Sequence, residues 1–283
     1  MTPVTRVTAA NAGPFTYLGT NSYVIGNKSV VVIDPGPDDD THLAALLTAI
    51  NNRPVSHILV THSHRDHSPL AGKLKSVTGA VTVGEGPHRF ITSTGLASLN
   101  GLDASADLEF IPDIAIMDSQ HLDCGEFTIT AITTPGHAEN HTAYALEGSG
   151  ILFSGDHVMG WATTIVAPPD GSMQSYLKSL EKLAGRADRL YLPGHGEQIE
   201  KPQQRVRALK THRLQREAAI LEKIRQGERT LTRIVETVYA STDRNLHPAA
   251  ALTAMAHLER LQQLGRISIG GPNGFEAQYT ALS

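Results

Sequence analysis

Over the first two thirds of the chain, short runs of β-branched and aliphatic residues alternate with stretches of helical periodicity, and Gly or Pro marks the junctions. Val30 to Ile33 predicts a strand, Thr41 to Ile50 a helix, and Val55 to Val60 a second apolar strand that stops at a block of polar residues. Thr128 to Ile132, Ala143 to Leu146, Ile151 to Phe153 and Arg189 to Leu192 read as further strands, with a helix over Met173 to Leu183. From Ser22 to about Leu192 this is the order of a mixed α/β fold.

Beyond Pro202 the pattern changes. Arg205 to Gln226 predicts a long helix with Leu214, Ala218, Leu221 and Ile224 as its buried stripe. Leu231, Ile234, Val235, Val238 and Tyr239 mark a second helix, and a third starts near Pro248 and stops at Gly265. Arg266 to Ile269 and Phe275 to Thr280, joined across Gly270, Gly271, Pro272, Asn273 and Gly274, read as a β-hairpin. Three helices and a hairpin resemble a winged helix. The expected organisation is therefore an α/β domain over residues 1–202 and a small C-terminal α+β domain over 203–283, with no internal repeat.

Composition narrows the chemistry. The chain has 283 residues, 40% hydrophobic, enough for a large core. It holds 14 His but one Cys, which excludes a disulfide framework and any Cys₄ or Cys₂His₂ zinc module. A metal, if bound, is held by imidazole and carboxylate, and Cys124 is expected to pack as a small apolar residue. The net charge of −4 gives no overall attraction to nucleic acid or anionic lipid. Lys201 to Arg233, however, carries ten Lys or Arg against three Glu, a local +7 that leaves −11 elsewhere. With neither an apolar leader at the N-terminus nor a run long enough to span a bilayer, a soluble cytoplasmic protein with no membrane association is expected.

The strongest candidate site is Thr61-His62-Ser63-His64-Arg65-Asp66-His67, directly after the apolar strand. In extended backbone residues i and i+2 point the same way, so His62 and His64 can place two imidazoles on one ion. If the chain then turns into a helix near Pro69, Asp66 and His67 project toward a neighbouring position, and four ligand-capable side chains in six residues suit two adjacent metals better than one. Thr134-Pro135-Gly136-His137, Ser154-Gly155-Asp156-His157 and Pro193-Gly194-His195-Gly196 each place a ligand-capable residue beside Gly just beyond an apolar segment. Ligand sites of α/β sheets lie at the carboxyl ends of strands.

His62-x-His64-x-Asp66-His67, followed by His137, Asp156 and His195, resembles the five-motif signature of the metallo-β-lactamase fold hydrolases over about residues 15 to 200. The resemblance implies an αββα sandwich with a dinuclear site: His62, His64 and His137 on the first metal, Asp66, His67 and His195 on the second, and Asp156 bridging. Gly13-Pro14-Phe15-Thr16, Gly19-Thr20-Asn21-Ser22-Tyr23, the segment Gly155 to Trp161 and Val166 to Gly171 are most similar to the β-lactamase-like protein 2 family, which also carries a C-terminal winged helix. Leu246-His247-Pro248-Ala249 and His257-Leu258-Glu259 extend that likeness into the tail.

The implied activity is hydrolysis by a metal-activated hydroxide, because a dinuclear cationic site lowers the pKa of its water toward about 7. Asp66 is the candidate catalytic group, orienting the nucleophile or carrying its proton. Asp34, His141 and His157 are expected to support the ligands from behind, and Ser63 and Arg65 to face substrate. Zn²⁺ is the expected metal, with Mn²⁺ or Fe as alternatives. The family likeness and the basic segment point to endoribonuclease-like cleavage of single-stranded RNA, whereas thioester or ester hydrolysis of the glyoxalase-II type uses the same ligands. An iron-dependent persulfide dioxygenase is the redox alternative, and hydrolysis of true β-lactams fits less well. The third C-terminal helix is too poor in basic residues to read a DNA groove, so a role in covering the active site or in forming a homodimer is expected instead.

Overall fold

The computed structural model describes residues 2–90, 105–271 and 276–282. Two sheets carry the first part of the chain. One has the order β1 (Val4–Thr8), β2 (Asn21–Ile25), β3 (Val30–Ile33), β4 (Val55–Leu59), β5 (Val81–Gly84) and β6 (Ile114–Ala115), and is parallel from β3 onward. The other has the order β11 (Leu190–Pro193), β10 (Ile151–Gly155), β9 (Thr142–Leu146), β8 (Thr128–Thr133) and β7 (His121–Asp123), with only β10 and β11 parallel.

Strand alternation builds the layers. Val31 and Ile33 face inward, with Tyr23, Leu59, Tyr144 and Phe153 in the core between the sheets. Val30 and Val32 face outward onto Leu46 and Ile50 of α1 (Asp40–Ile50) and onto Leu70 and Leu74 of α2 (Leu70–Thr78). Across the second sheet, Ala143, Ala145 and Leu152 pack with Tyr176, Leu180 and Leu183 of α3 (Met173–Ala184). The result is the expected αββα sandwich. The expected strands and helices fall within a few residues of their read positions, and β1, β2, β5, β6 and β7 add to them.

After the sandwich come α4 (Pro202–Arg225), α5 (Leu231–Val238), α6 (His247–Gln263) and an antiparallel pair, β12 (Ile267–Gly270) with β13 (Gln278–Ala281). Ile220, Ile224, Ile234, Met255, Leu258 and Tyr279 share one core there. Part of the expected hairpin connection and Phe275, the expected start of its second strand, fall in residues 272–275, which lie outside the described residues. No helix among the described residues is long and apolar enough to cross a membrane.

The stripe expected on α4 is corrected. Leu214 and Ala218 are exposed, while the buried face runs Val206, Leu209, Arg213, Glu217, Ile220, Leu221, Ile224. Leu221 and Ile224 are buried as expected, but two charged residues occupy the centre of that face, so hydrophobic periodicity missed the row in the first half of the helix. The face is shared: Val206 and Leu209 lie in the cluster of α3, and Ile220 to Ile224 in the C-terminal core.

Candidate metal centre

All seven expected ligand residues meet at one edge of the sandwich. The segment after β4 brings His62, His64, Asp66 and His67, and the chain beyond β8, β10 and β11 brings His137, Asp156 and His195. Backbone bonds from Thr142 N to Thr61 O (2.7 Å), Gly194 N to Gly155 O (2.9 Å) and Asn21 N to Gly194 O (2.7 Å) hold these strand ends together. Gly194 lies against the cluster: a Cβ there would run into Asp156 Oδ1 and come within 2.7 Å of His67 Cε1. Only glycine lets β11 pass so close.

The outer nitrogen of every cluster imidazole is engaged, which fixes its tautomer. His64 Nε2 donates to Asp170 Oδ2 at 2.9 Å, His137 Nδ1 to Ile165 O at 2.6 Å, His67 Nδ1 to Asp34 Oδ2 at 2.9 Å and His195 Nδ1 to Gly19 O at 3.1 Å. His62 Nδ1 is 3.0 Å from Thr61 Oγ1, whose own proton goes to Asp34 Oδ2 at 2.8 Å, so the hydroxyl accepts from the ring. In the neutral rings the inner nitrogens are therefore lone pairs, and they converge. His64 Nδ1 is 3.0 Å from His62 Nε2 and 3.1 Å from His137 Nε2. His195 Nε2 is 3.1 Å from Asp66 Oδ2 and 3.2 Å from Asp156 Oδ2.

Lone pairs aimed at one another this closely repel unless a cation lies among them. Protons do not serve the first triad: burial, then neighbouring imidazoles, hold His62 well below the usual histidine range, and burial with His64 brings His137 down to about 4. At the other end carboxylates dominate. Burial alone would lower His195, but Asp156 and Asp66 push it up to about 10, and Asp66, Asp156 and Asp34 raise His67 in the same way. His67 Nε2 and Asp156 Oδ1 are buried and have no hydrogen-bond partner among the described residues. Ligand atoms of His62, His64 and His137, of His62, His67 and Asp156, and of Asp66, His67 and His195 lie within 4.8 Å of one another in each group. Five inward-facing imidazole nitrogens, two of which would give up a proton to a metal, and two carboxylates form a donor set suited to metal ions.

The supporting residues sort differently. Asp34, at a left-handed φ of 50°, takes Thr61 N at 2.7 Å as well as the Thr61 hydroxyl and His67. His141 Nε2 accepts the backbone N–H of Asp156 at 3.2 Å while its Nδ1 bonds Thr134 Oγ1 at 2.8 Å. His157 does not support a ligand by hydrogen bonding: both ring nitrogens are buried without a partner among the described residues, and the ring packs 4.6 Å from Tyr176. Burial, then His137, takes it down to about 3, so it is a neutral packing group. Ser63 is turned from the expected substrate face. It is fully buried and its hydroxyl receives Asn140 Nδ2 at 2.7 Å beside His88. Arg65 is exposed and donates Nε to Ala106 O at 2.9 Å. Cys124 is buried as expected, its thiol pushed up to about 12 by that burial.

Asp170, which fixes His64 from a position 106 residues away, was missed, as was Thr20, whose hydroxyl donates to Asp66 Oδ2 at 3.3 Å. Both stand in segments that carry the family likeness, the one signal that could have found them.

A cleft of about 420 Å³ opens over the cluster, walled by Phe15, Met159, Ile165, Ala167, Pro168 and Leu252. No Lys or Arg lines it among the described residues. The basic run is instead largely engaged within the fold. Arg205 donates to Met159 O and Ala162 O, Arg213 to Thr164 O, Arg216 to Val238 O and Arg229 to Tyr279 O, while Lys210 pairs with Glu181 and Arg233 with Glu236.

Comparison with known proteins agrees with this fold. Residues 16–195 match the model of the metallo-β-lactamase superfamily, and residues 230–271 that of the β-lactamase associated winged helix domain. A β-lactamase-like protein 2 homolog of Drosophila melanogaster is 30% identical over 94% of this chain and 90% of its own. An atrochrysone carboxyl ACP thioesterase of Aspergillus fumigatus is 31% identical over 81% of this chain and 68% of its own. The crystal structure of a metallo-β-lactamase family protein from Thermus thermophilus, 21% identical, superposes with a TM-score of 0.76 over 99% of this chain and 98% of that one. The chain belongs to the metallo-β-lactamase superfamily, has β-lactamase-like protein 2 homologues among its relatives, and carries a β-lactamase associated winged helix domain toward its C-terminus.

Proposed function

We propose that the protein is a dinuclear zinc-dependent hydrolase of carboxylic thioesters or esters. His62, His64 and His137 would hold one ion, Asp66, His67 and His195 the other, and Asp156, whose Oδ2 lies 3.2 Å from His195 Nε2 and 3.8 Å from His137 Nε2, would reach both. Bound there, divalent cations would polarise a scissile carbonyl and lower the pKa of water. The 1–202 and 203–283 division stands as part of this reading, with α4 packing on both.

The observation that carries the choice of substrate is the cleft wall. An RNA strand brings phosphates on either side of the scissile one, and these want Lys or Arg along the groove. The cleft offers apolar side chains instead, and the arginines of α4 are largely spent on backbone carbonyls. Apolar walls suit an uncharged acyl group. A thiol leaving group, with a pKa near about 8.5, departs as thiolate without a general acid, which suits a cleft with no Lys, Tyr or Cys in its lining among the described residues. Asp66 keeps 26% of its side chain exposed, against 9% for Asp156. It is thus the cluster carboxylate more open to the cleft, placed beside its ion to orient attacking water or carry its proton and steadied by the Thr20 hydroxyl. The thioesterase among the relatives supports the same class.

The test is a substrate panel on protein of measured metal content. Acyl thioesters and esters are expected to be hydrolysed and single-stranded RNA left intact, with activity lost on chelation. RNA cleavage without ester turnover would replace this reading with the phosphodiesterase one. Iron at one per chain with oxygen uptake would point to a persulfide dioxygenase.

A further inference from the structure

Helix α6 belongs to the C-terminal part of the chain, yet Leu252 on it lines the cleft over the metal cluster. The helix places it there by period. Leu252, Ala256 and Arg260 are spaced by four and lie along one face. Ala256 is buried in the cluster that contains Tyr176, Leu180 and Val206. Arg260 Nε donates to Gln174 Oε1 of α3 at 2.8 Å. The face that docks α6 onto the sandwich therefore ends at its N-terminal side on Leu252, at the mouth of the site.

The docking is also clamped. Glu217 of α4, buried, takes Arg260 on one carboxylate oxygen and His257 Nδ1 on the other, the latter at 3.3 Å. Leu252 itself rests against the C-terminal core. A side chain held from behind by a core, on a helix fixed by a buried ion pair, acts as a preformed wall rather than a closing flap. Phe15, Met159, Ile165 and Pro168 supply the remaining apolar surface from the sandwich.

We propose that α6 is a fixed wall of the substrate site and that Leu252 is a specificity-determining residue that selects an extended apolar acyl group over acetyl. The inference rests on the thioester and ester reading above. Apolar pockets discriminate by the methylenes they cover, at about tenfold or more for each well-packed one. Shortening Leu252 removes part of that cover for a long acyl chain and none of the contacts an acetyl group makes near the cluster.

The test uses the full chain loaded with zinc and the thioesters S-acetyl- and S-octanoyl-N-acetylcysteamine, with free thiol as the readout. The ratio of kcat/KM for octanoyl to that for acetyl is compared between wild type, Leu252→Ala and Leu252→Met. Because both values come from one sample, the ratio is independent of how much of a variant is folded. The ratio is expected to exceed one in the wild type, to fall about tenfold in Leu252→Ala and to stay within twofold in Leu252→Met. Octanoate binding by calorimetry, which needs no turnover, is expected to weaken in Leu252→Ala while acetate binding is unchanged. Turnover with an unchanged ratio would overturn the wall and leave the hydrolase reading standing. Octanoate binding that depends on Leu252 without any thioester turnover would support the wall and overturn the hydrolase reading, and loss of both would overturn both.

Discussion

Replacing Asp34 by Asn isolates what the carboxylate behind the candidate metal-binding cluster contributes. The substitution is nearly isosteric, and Asn tolerates the left-handed φ of 50° found there. The carboxylate accepts three bonds, from Thr61 N at 2.7 Å, Thr61 Oγ1 at 2.8 Å and His67 Nδ1 at 2.9 Å. Asn can keep the first through its carbonyl oxygen. Its amide nitrogen then stands where Oδ2 stood, a donor facing two donors. His67 is fully buried, so its Nδ1–H loses its acceptor and the tautomer that turns the Nε2 lone pair inward is no longer fixed. Loss of such an outer partner weakens metal binding by about 10–100-fold, equivalent to about 1.4–2.8 kcal/mol. A buried donor without an acceptor costs about 1–3 kcal/mol in the metal-free protein. Chelator competition gives the first quantity and urea unfolding of the stripped protein the second. A folded Asp34→Asn protein that binds both ions within twofold of wild type would refute the argument that His67 depends on this bond.

Asp156→Ala and His62→Ala are expected to abolish hydrolysis while the chain still folds, checked by activity, metal content and circular dichroism, and normal activity with normal metal would contradict the proposed ligand set. Glu217→Ala leaves Arg260 and His257 without their buried carboxylate and is expected to lower unfolding free energy by about 3–5 kcal/mol, with a urea-derived loss under 1 kcal/mol speaking against the clamp. Glu259, pushed up to about 7 by burial, holds its proton in the folded chain at pH values where the unfolded chain has released it. Its contribution is therefore whole below about 4.5 and declines as pH rises toward 7, by at most about 3 kcal/mol. Glu259→Gln should flatten that decline in urea midpoints measured from pH 5 to 8, and equal slopes for the two proteins would refute it.

The seven clustered residues were legible because the determinants are local: each motif follows an apolar strand, and a strand's carboxyl end is where an α/β fold puts its chemistry. The acceptors that set the imidazole tautomers were not legible. Asp34 is the exception, expected from the family likeness; of the others, Asp170 and Thr61 are side chains distant in sequence or hidden by a neighbour's role, and two are the carbonyls of Ile165 and Gly19. A carbonyl has no residue signature, so which chain segment supplies it emerges only on folding. Ser63 was misread for a related reason. Alternation along an extended segment turns it away from its neighbours, and whether that side meets water or Asn140 depends on a loop 77 residues on.

The same limit explains α4. A basic run reads as an exposed face because burying a charge is costly unless a partner waits, and the partners of Arg205, Arg213 and Arg216 are carbonyls of other segments. Those bonds leave the local +7 in place but fix Arg205, Arg213 and Arg216 away from a groove, and the question of substrate moves to the cleft. There Phe15 and Leu252 come from opposite ends of the chain to one apolar mouth. Chemistry in this protein is thus encoded in short motifs, whereas recognition depends on how the C-terminal helix docks, and the Leu252 and Glu217 variants separate the contact from the clamp that holds it.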